Sequence, residues 1–248
     1  NISKNFGVTV ALNQVNMQIR RGEVCGLIGE NGSGKSTVMS ILSGMQNATS
    51  GEMFYKGKVW KPSNALEATR NGIGIIVQEI GTIPTISVAE NIFLGNYDRF
   101  RRYGMINRRQ MYKAAQLVLE KLNIVGVDAS ATTDTYSIEQ RKLIEIAKVM
   151  ANDPDILIVD ETSTAISETG RQVLYRLMHD MASQNKAVVF ISHDLEELME
   201  HCDALNILRD GCLIDHLEKE NFVAEDIKEK MIGRKLTGNY YRVDMDGY

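Results

Sequence analysis

Gly29-Glu30-Asn31-Gly32-Ser33-Gly34-Lys35-Ser36-Thr37 decides the fold. It satisfies G-x-x-x-x-G-K-[ST] at every fixed position. The context agrees. Residues 23–29 form a short apolar run that reads as a buried strand, and residues 35–45 carry the apolar spacing of a helix. Glycines let the backbone curl so that successive N–H groups point inward at phosphates, and the positive end of the following helix adds to them. Lys35 is placed to reach β- and γ-phosphates as a compact charge, and the Ser36 hydroxyl to reach Mg²⁺. The competing reading is a glycine-rich turn that contains a lysine by coincidence. A strand before the turn and a helix after it count against that reading.

Outward from this loop, short apolar runs alternate with amphipathic stretches, which marks a largely parallel α/β sheet. Residues 74–78, 156–160 and 187–192 read as further buried strands. Residues 52–60 alternate like one exposed antiparallel strand. Residues 204–209 and 212–216 flank Asp210-Gly211, a strong hairpin signal. Residues 79–152 turn helical: Ser87, Asn107 and Ser137 each stand where they can cap a helix. They suggest a helical subdomain inserted in one α/β domain that runs from residue 1 to 248, with a polar, tyrosine-rich tail at 233–248. The chain starts at Asn1 without methionine and reads as trimmed.

Two strand ends add chemistry. Ile156-Leu157-Ile158-Val159-Asp160-Glu161 is an apolar run that ends in two acids. Asp160 can hold Mg²⁺, and Glu161 can polarise the attacking water, a role that needs a carboxylate beside the γ-phosphate. Alone, such acids would be read as helix caps; the phosphate loop makes the pair functional. His193 ends a second run and can contact the γ-phosphate, the plainer alternative being a cap on the helix that begins near Asp194. Gln78 ends residues 74–77 and can bond the metal or the water. His179, His201 and His216 receive no role.

In the order phosphate loop, Gln78, Asp160-Glu161 and His193, around a helical insertion, the sequence resembles an ABC-transporter nucleotide-binding domain. It is most similar to the N-terminal cassette of the tandem ATPases of bacterial monosaccharide importers of the ribose and galactose type. The stretches that carry this are Phe6-Gly7-Val8 with Ala11-Leu12, the phosphate loop, Gly72-Ile73-Gly74-Ile75-Ile76-Val77-Gln78-Glu79, Ser87-Val88-Ala89-Glu90-Asn91-Ile92-Phe93-Leu94-Gly95, Ile144-Glu145-Ile146-Ala147-Lys148, and Met231-Ile232-Gly233-Arg234-Lys235-Leu236.

The resemblance implies a P-loop NTPase cassette with a mostly parallel core sheet, an antiparallel β subdomain and a helical subdomain. ATP and Mg²⁺ would bind at residues 29–37, with Ser36, Gln78 and Asp160 toward the metal and Glu161, His193 and Gln78 toward the water. Phe6 would stack on adenine, a contact that needs no base-specific hydrogen bond; the alternative is a core phenylalanine. The implied partners are a second cassette in the same full-length chain, transmembrane permease subunits docking on residues 87–106, and indirectly a periplasmic or lipoprotein solute-binding protein. The place of work would be the cytoplasmic face of the membrane. Two departures stand out. The usual Leu-Ser-Gly-Gly-Gln signature is Tyr136-Ser137-Ile138-Glu139-Gln140, so a carboxylate replaces a glycine that lets backbone approach phosphate. Thr162 stands where the family has proline.

Bulk properties limit the rivals, which are a soluble non-transport ABC ATPase on ribosomes or DNA and a regulatory cassette with little turnover. With 28 Lys and Arg against 32 Asp and Glu, the formal charge of −4 gives no basic surface for nucleic acid. The retained Glu161 and His193 count against the regulatory reading. Cys25, Cys202 and Cys212 form no CxxC pair and read as reduced cytosolic thiols. No apolar run reaches membrane-spanning length and no signal peptide is visible, so any membrane role comes through a partner.

Overall fold

The computed structural model describes residues 1–79, 81–162 and 166–234. Twelve strands and eight α-helices follow one another along these residues. Strands β1 (Ile2–Phe6) and β2 (Thr9–Val15) form an antiparallel ribbon, and β3 (Val24–Ile28) leads into α1 (Lys35–Leu42). The pair β4 (Met53–Tyr55) and β5 (Lys58–Trp60) precedes α2 (Ala65–Arg70) and β6 (Ile73–Ile76). Next come α3 (Val88–Ile92), the small hairpin β7 (Arg101–Arg102) and β8 (Met105–Ile106), α4 (Arg108–Lys121) and α5 (Ile138–Met150). The chain re-enters the sheet at β9 (Ile156–Asp160) and continues through α6 (Glu168–Ser183), β10 (Ala187–Ile191), α7 (Leu195–His201), β11 (Ala204–Arg209), β12 (Cys212–Glu218) and α8 (Ala224–Ile232).

The central sheet has six strands in the order β12-β11-β3-β10-β9-β6. All neighbours pair in parallel except β11 with β12. Both faces are covered, so the two central strands carry no polar side chain other than a thiol, and every residue of β3 and β10 is buried. Alternation still divides the side chains. Leu157, Val159, Val188 and Phe190 face a cluster closed by α6, α7 and α8, whereas Ile156, Ile158, Val189 and Ile191 face a cluster closed by α1, α2 and β2. A third cluster joins α3, α4 and α5. Helix α5 belongs to two of them, with Ile146 under the sheet and Ile144 and Ala147 among the other helices.

The three expected caps are present. Ser87 and Ser137 form capping boxes with Glu90 and Gln140, and the Asn107 side chain accepts from the Gln110 amide. One expectation fails: residues 52–60 are a hairpin, β4 and β5, turned at Lys56 (φ 50°) and Gly57 (φ 74°). Strand β6 stops at Ile76, so Gln78 lies beyond the ladder rather than at its end. Most of the polar tail, 235–248, lies outside the described residues, as do residues 163–165 of the Thr162 loop and Lys235-Leu236. Among the described residues no helix is long and apolar enough to cross a membrane.

Candidate active site

The parallel strands all deliver their carboxyl ends to one edge, where open α/β sheets take their ligands. From β3 the chain runs into the phosphate loop, from β9 to Asp160-Glu161, from β6 toward Gln78 and from β10 to His193.

The loop must pass very close to its neighbours. A Cβ on Gly29 would lie 2.2 Å from the Leu208 carbonyl oxygen and 2.5 Å from Ser33 Oγ. Gly34 takes φ +106°, and a Cβ there would lie 2.6 Å from the Leu12 side chain. Hairpin β11–β12 braces the loop from behind: the Gly211 amide donates to the Ser33 carbonyl at 3.1 Å, and the Gly211 carbonyl accepts from Asn13 at 2.8 Å. Gly34 caps α1 without any side-chain hydrogen bond, and the first turn holds no acid, so the helix presents its amides to an incoming anion. Ser33 Oγ is buried without a hydrogen-bond partner, the kind of orphan that a ligand resolves.

Lys35 is buried and folds back on the loop, its ammonium donating to the carbonyls of Gly29 at 2.8 Å and Glu30 at 3.1 Å. Burial pushes its pKa down, while the charges of Glu161 and Asp160 work the other way. Asp160 is held up by burial first and by Glu161 second; Lys35 and Lys142 offset part of this. Both shifts disfavour the charged forms that the site needs, so a cation beside Asp160 and phosphates beside Lys35 would each relieve a cost.

A cleft of about 470 Å³ gathers Asn31, Gly32, Gly34, Lys35, Ser36, Thr37, Gln78, Asp160 and Glu161 with Ala11. Gly29, Glu30 and Ser33 do not line it; the carbonyls of the first two hold the Lys35 ammonium. The oxygen donors of Ser36, Gln78 and Asp160 suit a hard divalent cation that also takes phosphate oxygens. Among the described residues no cluster of three or more His, Cys, Asp and Glu could hold a metal unaided. A larger groove of about 720 Å³, under β2, α1 and β4, contains no residue of 29–37, and its cations Arg20, Arg21 and Lys56 lie away from the phosphate loop, with Lys56 already paired to Asp155.

Glu161 adopts φ 44°, and its amide donates to Ile191 O at 3.0 Å, which ties the end of β9 to β10. The buried Thr162 hydroxyl donates to the Asp160 carbonyl at 3.1 Å, so the residue in the proline position closes the turn itself. His193 is exposed and does not line the cleft. The cap of α7 falls to Asp194, whose side chain accepts from the amides of Glu196 and Glu197. Phe6 is 47% exposed on β1 under the Lys4 ammonium, which removes the core alternative while leaving the ring outside the cleft.

Two side-chain contacts on α5 escape a reading by motif. Glu139 is turned sideways and accepts a hydrogen bond from Ser167 Oγ, at the N-cap of α6. Lys142, fully buried on α5, donates to the carbonyls of Val77, Gln78 and Glu79 and to Glu145. The signal for Lys142 is its place on the apolar stripe of α5 with Ile146 and Val149, at spacings of four and seven.

Comparison with known proteins agrees with this fold. The family model described as ABC transporter matches residues 12–164. The chain is 38% identical over 239 residues to a ribose import ATP-binding protein of Chromobacterium violaceum, covering 96% of this chain and 47% of that one. With a second ribose import ATP-binding protein, from Agrobacterium fabrum, it shares 38% identity over 243 residues, 97% of this chain and 47% of the relative. The chain thus spans less than half the length of these relatives. Among solved structures it superposes on a dimeric ATP-binding cassette in a post-hydrolysis state bound to ADP and Pi, with TM-score 0.76 and 25% identity over 90% of this chain and 98% of that one. A nucleotide-free cassette from an ABC transporter gives TM-score 0.77 at 21% identity, covering 94% and 93%. The chain belongs to the ABC transporter family, as one of its ATP-binding cassettes.

Proposed function

We propose that this cassette hydrolyses ATP as one half of a two-cassette sandwich and so drives import of a monosaccharide of the ribose type through membrane permease subunits. The observation that carries the reading is the cleft that sets Lys35, Ser36, Gln78, Asp160 and Glu161 around the mouth of the phosphate loop. In this reading the loop amides and the N-terminus of α1 hold the phosphates. Lys35 exchanges the carbonyls of Gly29 and Glu30 for β- and γ-phosphate oxygens. Ser36, Asp160 and Gln78 hold Mg²⁺, which would neutralise charge that develops on the phosphates. Glu161 orients and polarises the attacking water, with Gln78 beside it. His193 stands at the same edge and reaches the γ-phosphate when a second cassette closes over the cleft. Phe6 offers its exposed ring to adenine.

The importer assignment is supported by the two ribose import relatives. The matched region fills 47% of each, which leaves room in them for a second cassette. The exposed hairpin tip, with Tyr103 90% and Met105 74% accessible beside Arg101 and Arg102, suits a permease groove on the inner face of the membrane. A solute-binding protein outside the membrane would act through that permease. The test is ATP-driven uptake of labelled ribose by vesicles that hold the full-length protein and its permease. Uptake abolished by Lys35→Ala supports the reading; ATP turnover that no sugar and no permease alters overturns the importer assignment.

A further inference from the structure

We propose that Lys142 is a positioning residue for ATP hydrolysis: it pins the backbone that carries Gln78 to the helix that begins with the signature segment. The proposal rests on the role given above to Gln78.

Strand β6 ends at Ile76, so the carbonyls of Val77, Gln78 and Glu79 lie beyond the sheet ladder. All three accept from the Lys142 ammonium, at 3.3 Å for Gln78 and for Glu79 and closer for Val77. Glu145, one turn further along α5, receives the same ammonium at 3.0 Å and balances its charge. Lys142 has no solvent exposure and Glu145 side-chain exposure is 7%. A lysine buried to this extent is costly unless its charge and donors are all met. Packing alone does not require it, since the same stripe of α5 carries Ile146 and Val149, and a methionine would fill the space. What an apolar residue cannot do is fix three successive carbonyls, and with them the direction in which the Gln78 side chain leaves the backbone.

The other end of this connection is rigid as well. Ser137 caps α5. Arg141, next to Lys142, donates to the carbonyls of Thr133 at 3.1 Å, Tyr136 at 3.0 Å and Asp134 at 2.9 Å. The first turns of α5 are thus fixed to the signature on one side and to the Gln78 segment on the other. A shift of α5, as when a second cassette engages residues 137–140, moves Gln78 relative to Asp160 and Glu161.

The test uses the full-length protein assembled with its permease, in a cycle of Lys142→Met, Gln78→Ala and the double variant. ATP hydrolysis and binding of a fluorescent ATP analogue are both measured. Lys142→Met is expected to lower kcat on the order of tenfold while changing nucleotide affinity less than about threefold, as a small misplacement of a catalytic group does. In the Gln78→Ala background it should add almost nothing. Lys142→Gln, which keeps two donors without the charge, should restore part of kcat and serves the same cycle if the methionine variant does not fold. Hydrogen exchange of peptides that cover residues 77–79 should quicken in both Lys142 variants, with the central strands unchanged. Equal loss of kcat in both backgrounds, or full turnover without Lys142, overturns the proposal. If Gln78→Ala itself leaves turnover intact, the reading of Gln78 falls and the proposal falls with it. If Gln78→Ala is impaired and Lys142→Met is not, only the proposal falls.

Discussion

The two ends of this cassette are built to different standards. At the phosphate loop every fixed position is kept and the neighbours are close enough to forbid a side chain on Gly29 or Gly34. At the start of α5 the family pattern is relaxed: Glu139 occupies a glycine position, and its carboxylate rests on Ser167. The first end is the one that would hold this chain's own ATP; the second would be lent to a partner's. The difference teaches that the two composite sites of an assembled pair need not be equivalent: this chain would bring a complete phosphate loop to one and a relaxed signature to the other.

The largest effect is expected where the complete end does its chemistry. Glu161→Gln keeps the shape of the side chain and removes the carboxylate, so turnover in the assembled transporter should fall on the order of 10²- to 10⁴-fold. Binding of ATP should be retained. Steady-state phosphate release at the wild-type rate would dissolve the contrast by showing that this end does not hydrolyse.

Lys35→Ala comes next. It removes the loop's only cation, and nucleotide affinity should drop on the order of a hundredfold, as when one partner of a desolvated charge pair is truncated. A fluorescent ATP analogue titrated into both proteins reads this directly, and equal affinities would show that the loop binds no phosphate. The amides of α1 remain, so weak binding should persist, and its salt dependence should be shallower than in wild type.

The relaxed end answers to Glu139→Gly. The substitution removes the Cβ and the carboxylate from the face that should meet a partner's γ-phosphate, and it breaks the contact with Ser167. It also puts glycine into the first turn of α5, at a cost of up to about 1 kcal/mol. ATP-dependent self-association of this chain should nonetheless strengthen roughly tenfold, since backbone amides gain access to phosphate. Sedimentation with Mg·ATP checks it. Wild-type chain that already pairs tightly and hydrolyses at the transporter's rate would erase the distinction between the two ends.

How legible these ends were from the sequence follows from what holds them. The phosphate loop could be read because backbone curvature, a helix start and one lysine are all local. Strands β3, β9 and β10 could be read because burial on both faces makes them apolar runs, broken only by Asp160 at the end of β9. The caps at Ser87, Asn107 and Ser137 were legible for the same local reason. The two hairpins make the limit plain. Asp210-Gly211 advertises its turn, whereas Lys56-Gly57 adopts the same pair of positive φ angles without an Asn or Asp to announce it, so two strands read as one. The Glu139–Ser167 contact and the Lys142 clamp were illegible, because each joins residues that only the folded chain brings together, across 28 and up to 65 positions.

The smallest effect concerns Ser137, where the relaxed end serves the fold and the proposed function with one hydroxyl. Its oxygen accepts from the Gln140 amide at 3.2 Å, while Gln140 Oε1 accepts from the Ser137 amide at 3.2 Å. The hydroxyl hydrogen stays available for a partner's phosphate. Ser137→Ala removes both functions and should cost about 1 kcal/mol of stability, a lowering of Tm by roughly 2–4 °C for a chain of this size. Ser137→Asp separates them. Aspartate is as good a cap as serine and suits the helix N-terminus, so Tm should return to the wild-type value or slightly above it. It has no hydrogen to donate, however, and it sets a second negative charge beside Glu139, so closure over a partner's ATP should suffer more than in the alanine variant. Thermal unfolding and turnover in the assembled pair are the two measurements. If both variants lose stability alike, Ser137 is not acting as a cap. If both keep the partner's site fully active, this end of α5 takes no part in catalysis, and the asymmetry between the two ends has no functional meaning.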